Sequence, residues 1–164
     1  MDELAADAVD IPVVSGGQPW QTGFYPPPTP PPGLPHGSAG VCMSELGVVL
    51  ISANGQAWDF PAGRPEPGET WEETLRREVL EEACATVTAC RLLGFTRGTC
   101  LAGPEKGRVL VRSIWRAQVD LAPWDPQFEI LHRRIVTPAE VLGLLSFPLA
   151  LAPLYRRILR EAGL

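Results

Sequence analysis

Nine of the 18 prolines lie in the first 40 residues, and the run YPPPTPPPGLPHG at 25–37 is the densest patch. Proline fixes φ and has no N–H to donate, so such a run cannot continue a helix or sit in a central strand. It favours extended polyproline II, and the helices of the fold must come after it. The stretch is therefore expected to be a semi-rigid surface arm, residues 1–39, ahead of a domain at 40–164. Trp20, Phe24 and Tyr25 would anchor that arm to the body or line a pocket. A ligand for a proline-binding module is the competing reading, which composition alone does not single out.

From residue 40 the texture changes to short apolar runs. GVCM and GVVLISA read as two strands joined by a turn at 44–47, and NGQ at 54–56 is a turn before the short strand AWDF. PAGRPEPGE is a loop. TVTACRLLGF is a strand, GTCLAGPEKGR a loop, and RVLVRSIWRAQV at 108–119 a long strand. In that strand Val109, Val111, Trp115, Ala117 and Val119 share one face. Arg108, Arg112 and Arg116 share the other, with Leu110 and Ile114 between them. EILHRRIV is a further strand, Thr137 and Glu140 form a capping box, and Leu151, Leu154, Tyr155, Ile158 and Leu159 mark a final amphipathic helix.

A chain of 164 residues, 45% hydrophobic, suits one domain with a real core. A net charge of −5 argues against a general nucleic-acid binder, which needs clustered cations. The four cysteines show no C-x-x-C spacing and only two histidines could join them, so a zinc site is not expected. The acidic opening MDELAADAVD lacks the basic and apolar regions of a signal peptide, and no apolar run reaches membrane-spanning length. The expectation is a soluble cytoplasmic protein without membrane partners, with room for a homodimer.

The sharpest chemical feature is RREVLEEAC at 76–84. Thr70 and Glu73 start a helix with a capping box, and Leu75, Val79 and Ala83 give it an apolar stripe. On that helix Glu78, Glu81 and Glu82 fall three and four residues apart, so the three carboxylates share one region. Like charges there repel unless water or a cation separates them. A solvated acidic face is the plain reading; a hard divalent cation, which prefers oxygen ligands, is the functional one.

Upstream residues weigh toward the cation. GRPEPGETWEETLRREVLEEACA at 63–85 resembles the Nudix box, G-x5-E-x7-R-E-U-x-E-E-x-G-U with U apolar, and WDFPAG resembles the lead-in common in Nudix hydrolases. Gly63, Glu69, Arg77, Glu78, Val79, Glu81 and Glu82 match. Two positions depart: Cys84 stands for the late glycine and Ala85 for the next apolar residue, which puts the helix end and the following loop in question. The resemblance implies an α+β fold, an α/β/α sandwich around a mixed sheet. It implies hydrolysis of the diphosphate in a small-molecule nucleoside diphosphate derivative, with Mg²⁺, or Mn²⁺ in its place. By the same resemblance Glu78, Glu81 and Glu82 bind metal, with the Ala62 carbonyl completing the shell, while Glu69 and Arg77 pair to fix the loop after Gly63. A further glutamate, for which Glu129 is preferred over Glu105, would bind metal or take the proton of the attacking water. Glu81, Glu82 and Glu129 are thus the catalytic candidates. A relative that binds nucleotide without hydrolysis is the alternative, and the intact carboxylate set speaks for the enzyme.

For the rest of the substrate, Arg64 on the box loop and Arg108, Arg112 and Arg116 on the long strand are candidates to meet phosphate or ribose. Trp58, Tyr25 and Trp115 could stack on a base, Trp115 fitting the core better. The family's downstream subgroup markers are missing, position 101 being leucine, so the substrate stays open.

Overall fold

The computed structural model describes residues 8–164; residues 1–7 of the acidic opening at 1–10, on which the reading against a leader rests, lie outside the described residues. Two strands come first, β1 (Ile11–Ser15) and β2 (Gln18–Tyr25). Ser15 pairs with Gln18, and the two residues between them, Gly16 and Gly17, both take positive φ, 58° and 75°. That is the glycine-dependent turn a two-residue hairpin requires. The core strands are β3 (Leu34–Ser44) and β4 (Gly47–Ser52), followed by the two-residue β5 (Ala62–Gly63). After helix α1 (Trp71–Ala83) come β6 (Ala85–Cys100), β7 (Val109–Leu121) and β8 (His132–Val136). The chain closes through a 3-10 turn (Pro138–Glu140), α2 (Val141–Leu144), a second 3-10 turn (Leu149–Leu151) and α3 (Ala152–Glu161).

The strands form one sheet in the order β1-β2-β6-β7-β3-β4-β8, with β5 attached to β3. Neighbours run antiparallel except β3 and β7, which are parallel, so the sheet is mixed. Helix α1 covers one face, where Leu75, Val79 and Ala83 pack with Cys42, Trp115 and Val119. Leu75 is fully buried, and burial of such a side chain stabilises by about 1.5–3 kcal/mol. On the other face α3 places Leu154, Ile158 and Leu159 against Phe24, Val41, Leu50 and Ile114. Two apolar faces on one sheet make the α/β/α sandwich. Ser38, Ser113 and Trp115 tie its layers: the two hydroxyls lie 2.7 Å apart, Ser113 accepts the Trp115 indole N–H at 2.8 Å, and Ser38 donates to the Trp71 carbonyl at 2.8 Å.

Two sequence expectations change here. Residues 11–25 are not an arm: β2 is hydrogen-bonded to β6 from Trp20 to Tyr25, and Phe24 is core. Nor does the sheet begin at residue 40, since β3 starts at Leu34. Pro12 is tolerated because β1 is the edge strand. Pro35 is tolerated because the β3–β7 register shifts between Pro35 and Gly37, a bulge at which no ladder N–H is required. The irregular proline-rich stretch shrinks to residues 26–33. Among the described residues no helix is long and apolar enough to cross a membrane, and all four cysteines are free.

Candidate active site

The loop between β5 and α1 is held by one arginine. Arg77 donates from Nε and Nη2 to the two Glu69 carboxylate oxygens at 2.7 and 2.9 Å, and Nη2 also reaches the Arg64 carbonyl at 2.8 Å. Glu69 accepts in addition from the Glu66 N–H at 2.7 Å and the Thr74 hydroxyl at 3.0 Å. Facing the guanidinium, the Glu69 carboxyl is held down to about 2. A two-pronged pair of this kind fixes direction as well as charge. The start of α1 is set by Thr70, whose hydroxyl accepts the Glu73 N–H at 3.2 Å.

Glu78 and Glu82 of α1 turn toward β5. A side chain at Gly63 would overlap the Glu78 carboxylate, so strand backbone and carboxylate pack directly on each other. Glu82 accepts the Ala62 N–H at 2.8 Å. Arg77 Nη1 reaches Glu78 at 2.7 Å and Glu81 at 3.4 Å. Burial raises the pKa of Glu78, and burial pushes Glu82 up to about 7 despite the Ala62 hydrogen bond, with Glu78, Asp59 and Glu81 adding repulsion. This is negative charge in excess of its local partners. Among the described residues no three ligating side chains converge on one point. A closed protein cage is thus not formed, and a hard ion held here would take a few oxygens from protein and the rest from water and substrate phosphate.

A cavity of about 350 Å³ opens against this cluster. Glu82, Ala62 and Gly63 form its acidic wall, while Arg64 and Arg112 bring cations to it. A second chamber of about 310 Å³ continues from it, sharing His36, Asp59, Phe60, Ala62 and Arg112. Asp59 and Arg112 both keep accessible surface, yet burial raises the one and lowers the other. Protein surrounds them on the sides and water meets them from the cleft. Burial, with Arg112 next, also lowers His36.

The candidate cations separate. Arg112 and Arg64 reach the cleft. Arg108 is paired with Glu105 at 2.6 Å, and Arg116 donates to the Ala162 carbonyl at 2.6 Å, closing the end of α3. Glu105 is held between Arg108 and the Gln18 amide, whereas Glu129 is exposed on the irregular stretch 122–131, next to Ile130, which lines the first cavity. The proposed stacking aromatics lie elsewhere: Trp115 is core, Arg97 covers Tyr25 with its guanidinium 4.7 Å from the ring centre, and Arg134 lies 5.8 Å over Trp58. Cys84 takes φ 49° and ψ 49°, the left-handed closure a glycine would adopt freely.

The NUDIX domain model matches residues 34–161. The chain belongs to the NUDIX domain family. Over 64 residues it is 39% identical to an 8-oxo-dGTP diphosphatase of Proteus vulgaris, covering 35% of this chain and 57% of that protein. Over 63 residues it is 33% identical to an RNA pyrophosphohydrolase of Serratia proteamaculans, covering 32% of this chain and 36% of that one. The match thus spans between about a third and somewhat over half of these relatives' own length. In three dimensions it resembles the Bacillus subtilis pyrophosphohydrolase BsRppH, with a TM-score of 0.68 at 22% identity over 88% of this chain and 92% of that one, a likeness of fold.

Within this NUDIX fold the residues that sequence reasoning missed lie outside the box at 63–85. His36 stood in the proline run, Asp59 in the lead-in, and Tyr155 in the last helix read as packing. For the hairpin wall of the second chamber the available signal was the Gly-Gly turn followed by alternation at Trp20, Thr22 and Phe24.

Proposed function

We propose that this NUDIX protein hydrolyses the diphosphate linkage of a nucleoside diphosphate derivative with a divalent cation. One observation carries the reading: Glu82, held on the Ala62 N–H and desolvated beside Glu78 of the same helix, walls the end of a cleft that also presents Arg64 and Arg112. Glu78, Glu81 and Glu82 would hold Mg²⁺ or Mn²⁺, beside the backbone of Ala62. When bound, the ion screens phosphate oxygens and makes water a better nucleophile near neutral pH. Arg64 and Arg112 bind and orient the phosphate chain, an arrangement that shortens the approach of water to phosphorus. The proton released by that water goes to a carboxylate, with Glu129 the candidate outside the box and Glu81 the alternative on α1. The two named relatives act, by their names, on an oxidised deoxyguanosine triphosphate and on an RNA pyrophosphate, and both chemistries suit this end of the cleft.

The test is a phosphate-release screen over nucleoside di- and triphosphates, nucleotide sugars and dinucleotides, with Mg²⁺, with Mn²⁺ and with chelator. Hydrolysis that chelator abolishes and metal restores is expected. Nucleotide binding with no hydrolysis under any of these conditions would make the protein a binding relative instead.

A further inference from the structure

The second chamber differs from the first in what it lacks. Its ionisable lining, His36, Asp59, Arg112 and Tyr155, stands at or beside the junction with the first cavity, and the Tyr155 phenol is kept neutral by burial, its pKa pushed up to about 12. Farther in, the lining is neutral: Val13, Ser15, Trp20 and Thr22 from the hairpin, with Thr96 and Leu110 from the adjoining strands. A phosphate or sugar phosphate entering there would lose hydration with no cation to replace it. A flat, uncharged group with hydrogen-bonding edges would lose little.

The hairpin that supplies this wall precedes the residues matched by the NUDIX model, 34–161. It is also where the structure leaves a polar atom unsatisfied. The Trp20 indole N–H is the one buried side-chain polar atom, among the described residues, with no hydrogen-bond partner. An orphaned donor of this kind is costly, and a ligand acceptor is one way to relieve the cost. Beside it Gly98 pairs with Thr22 across β2 and β6. A Cβ at 98 would sit at 3.5 Å from both Thr22 Oγ1 and the Trp20 ring, ordinary van der Waals contact at an ordinary φ, so a side chain there is tolerated by the backbone and lies directly against the two hairpin residues.

We infer that the β1–β2 hairpin is the specificity wall of this protein and that the second chamber takes a single nucleobase, seated against Trp20 and bonded by the Thr22 and Thr96 hydroxyls. The inference rests on the diphosphate-hydrolase reading and narrows it. With one charged chamber and one neutral chamber, the substrate is a mononucleoside polyphosphate, not a dinucleotide or a nucleotide sugar. A ligand reaches the covered Trp20 N–H by a small swing of the indole toward the chamber, which changes tryptophan fluorescence.

The experiment compares wild type, Trp20→Ala and Gly98→Val on the four common nucleoside triphosphates with Mg²⁺. Gly98→Val is the decisive variant, because valine suits a strand and fills the chamber without touching the box. Stacking on an aromatic is worth roughly 5- to 160-fold in affinity. Both variants should raise KM for the preferred nucleotide by about tenfold or more while kcat changes by less than about threefold. Unchanged KM in Gly98→Val, or a loss confined to kcat, overturns the inference while leaving the hydrolase reading intact. If wild type hydrolyses no substrate, nucleoside monophosphate titrations followed by fluorescence decide the chamber separately. Binding that Gly98→Val abolishes supports it, and no binding by wild type overturns it.

Discussion

The two ends of the cleft are built in opposite ways. The acidic end comes from one continuous stretch, residues 62–82, in which a loop and the helix after it fold back on each other through Arg77 and Glu69. The neutral end is assembled from two hairpin strands, parts of β6 and β7, and the C-terminal helix, residues as far apart as Val13 and Ile158. Charge and local hydrogen bonds shape the first; sheet order and burial shape the second. A site of the first kind tolerates change elsewhere in the chain. A site of the second kind fails whenever one of its distant walls is lost.

The largest test of that contrast is truncation. Removing residues 1–36 takes away β1, β2 and the start of β3, exposes the β6 edge from Phe95 to Cys100, and strips Phe24 from the core. A thermal melt should lose its cooperative transition. A truncated protein that still melts sharply would show the neutral end to be an appendage, as the proline content alone suggests.

Next come changes within the acidic end that leave the fold standing. Glu82→Gln should lower kcat by at least about a hundredfold, while Glu72→Gln, whose carboxylate pairs with exposed Arg76 on the same helix and lies away from the cleft, should stay near wild type. Equal losses would mean that the helix, not the carboxylate, matters. Glu129→Gln should be slower than Glu105→Gln by about tenfold or more. If the order reverses, or neither changes, Glu81 is the better proton acceptor.

The Glu69 clamp has a pH signature. Its folded pKa of about 2 lies below the ordinary 4.5, so its contribution to stability is present above 4.5 and is lost as pH falls through about 2. The melting temperatures of wild type and Glu69→Gln should therefore differ most near neutral pH and converge between 4.5 and 2. A gap that persists at the acid end would assign the loss to packing of the loop.

The smallest effect is expected at the helix end. Cys84→Gly relieves a left-handed side-chain residue and gives up a weak 3.4 Å thiol hydrogen bond to the Asp125 carbonyl. A gain of about 1 kcal/mol, a few degrees in melting temperature, is the outcome to look for. No gain would mean that the thiol contact offsets the backbone cost.

What could be read in the chain alone was whatever depends on near neighbours. The spacing of Glu78, Glu81 and Glu82, the Thr70 cap and the apolar stripe of Leu75, Val79 and Ala83 follow from helical periodicity. The alternation at 109–119 likewise announced a strand with Trp115 on its apolar face. Long-range pairing decided the rest. Proline density marked 1–39 as irregular because propensity counts residues one at a time. Pro12 at an edge and Pro35 at a bulge are harmless, however, once β2 has β6 and β3 has β7 beside it. The same pairing sorted three arginines with one periodicity into three roles: Arg108 on Glu105, Arg112 in the cleft and Arg116 on the end of α3. Periodicity sets the face a side chain leaves from. What it meets there is set by elements dozens of residues away, and only the packed fold brings them into contact.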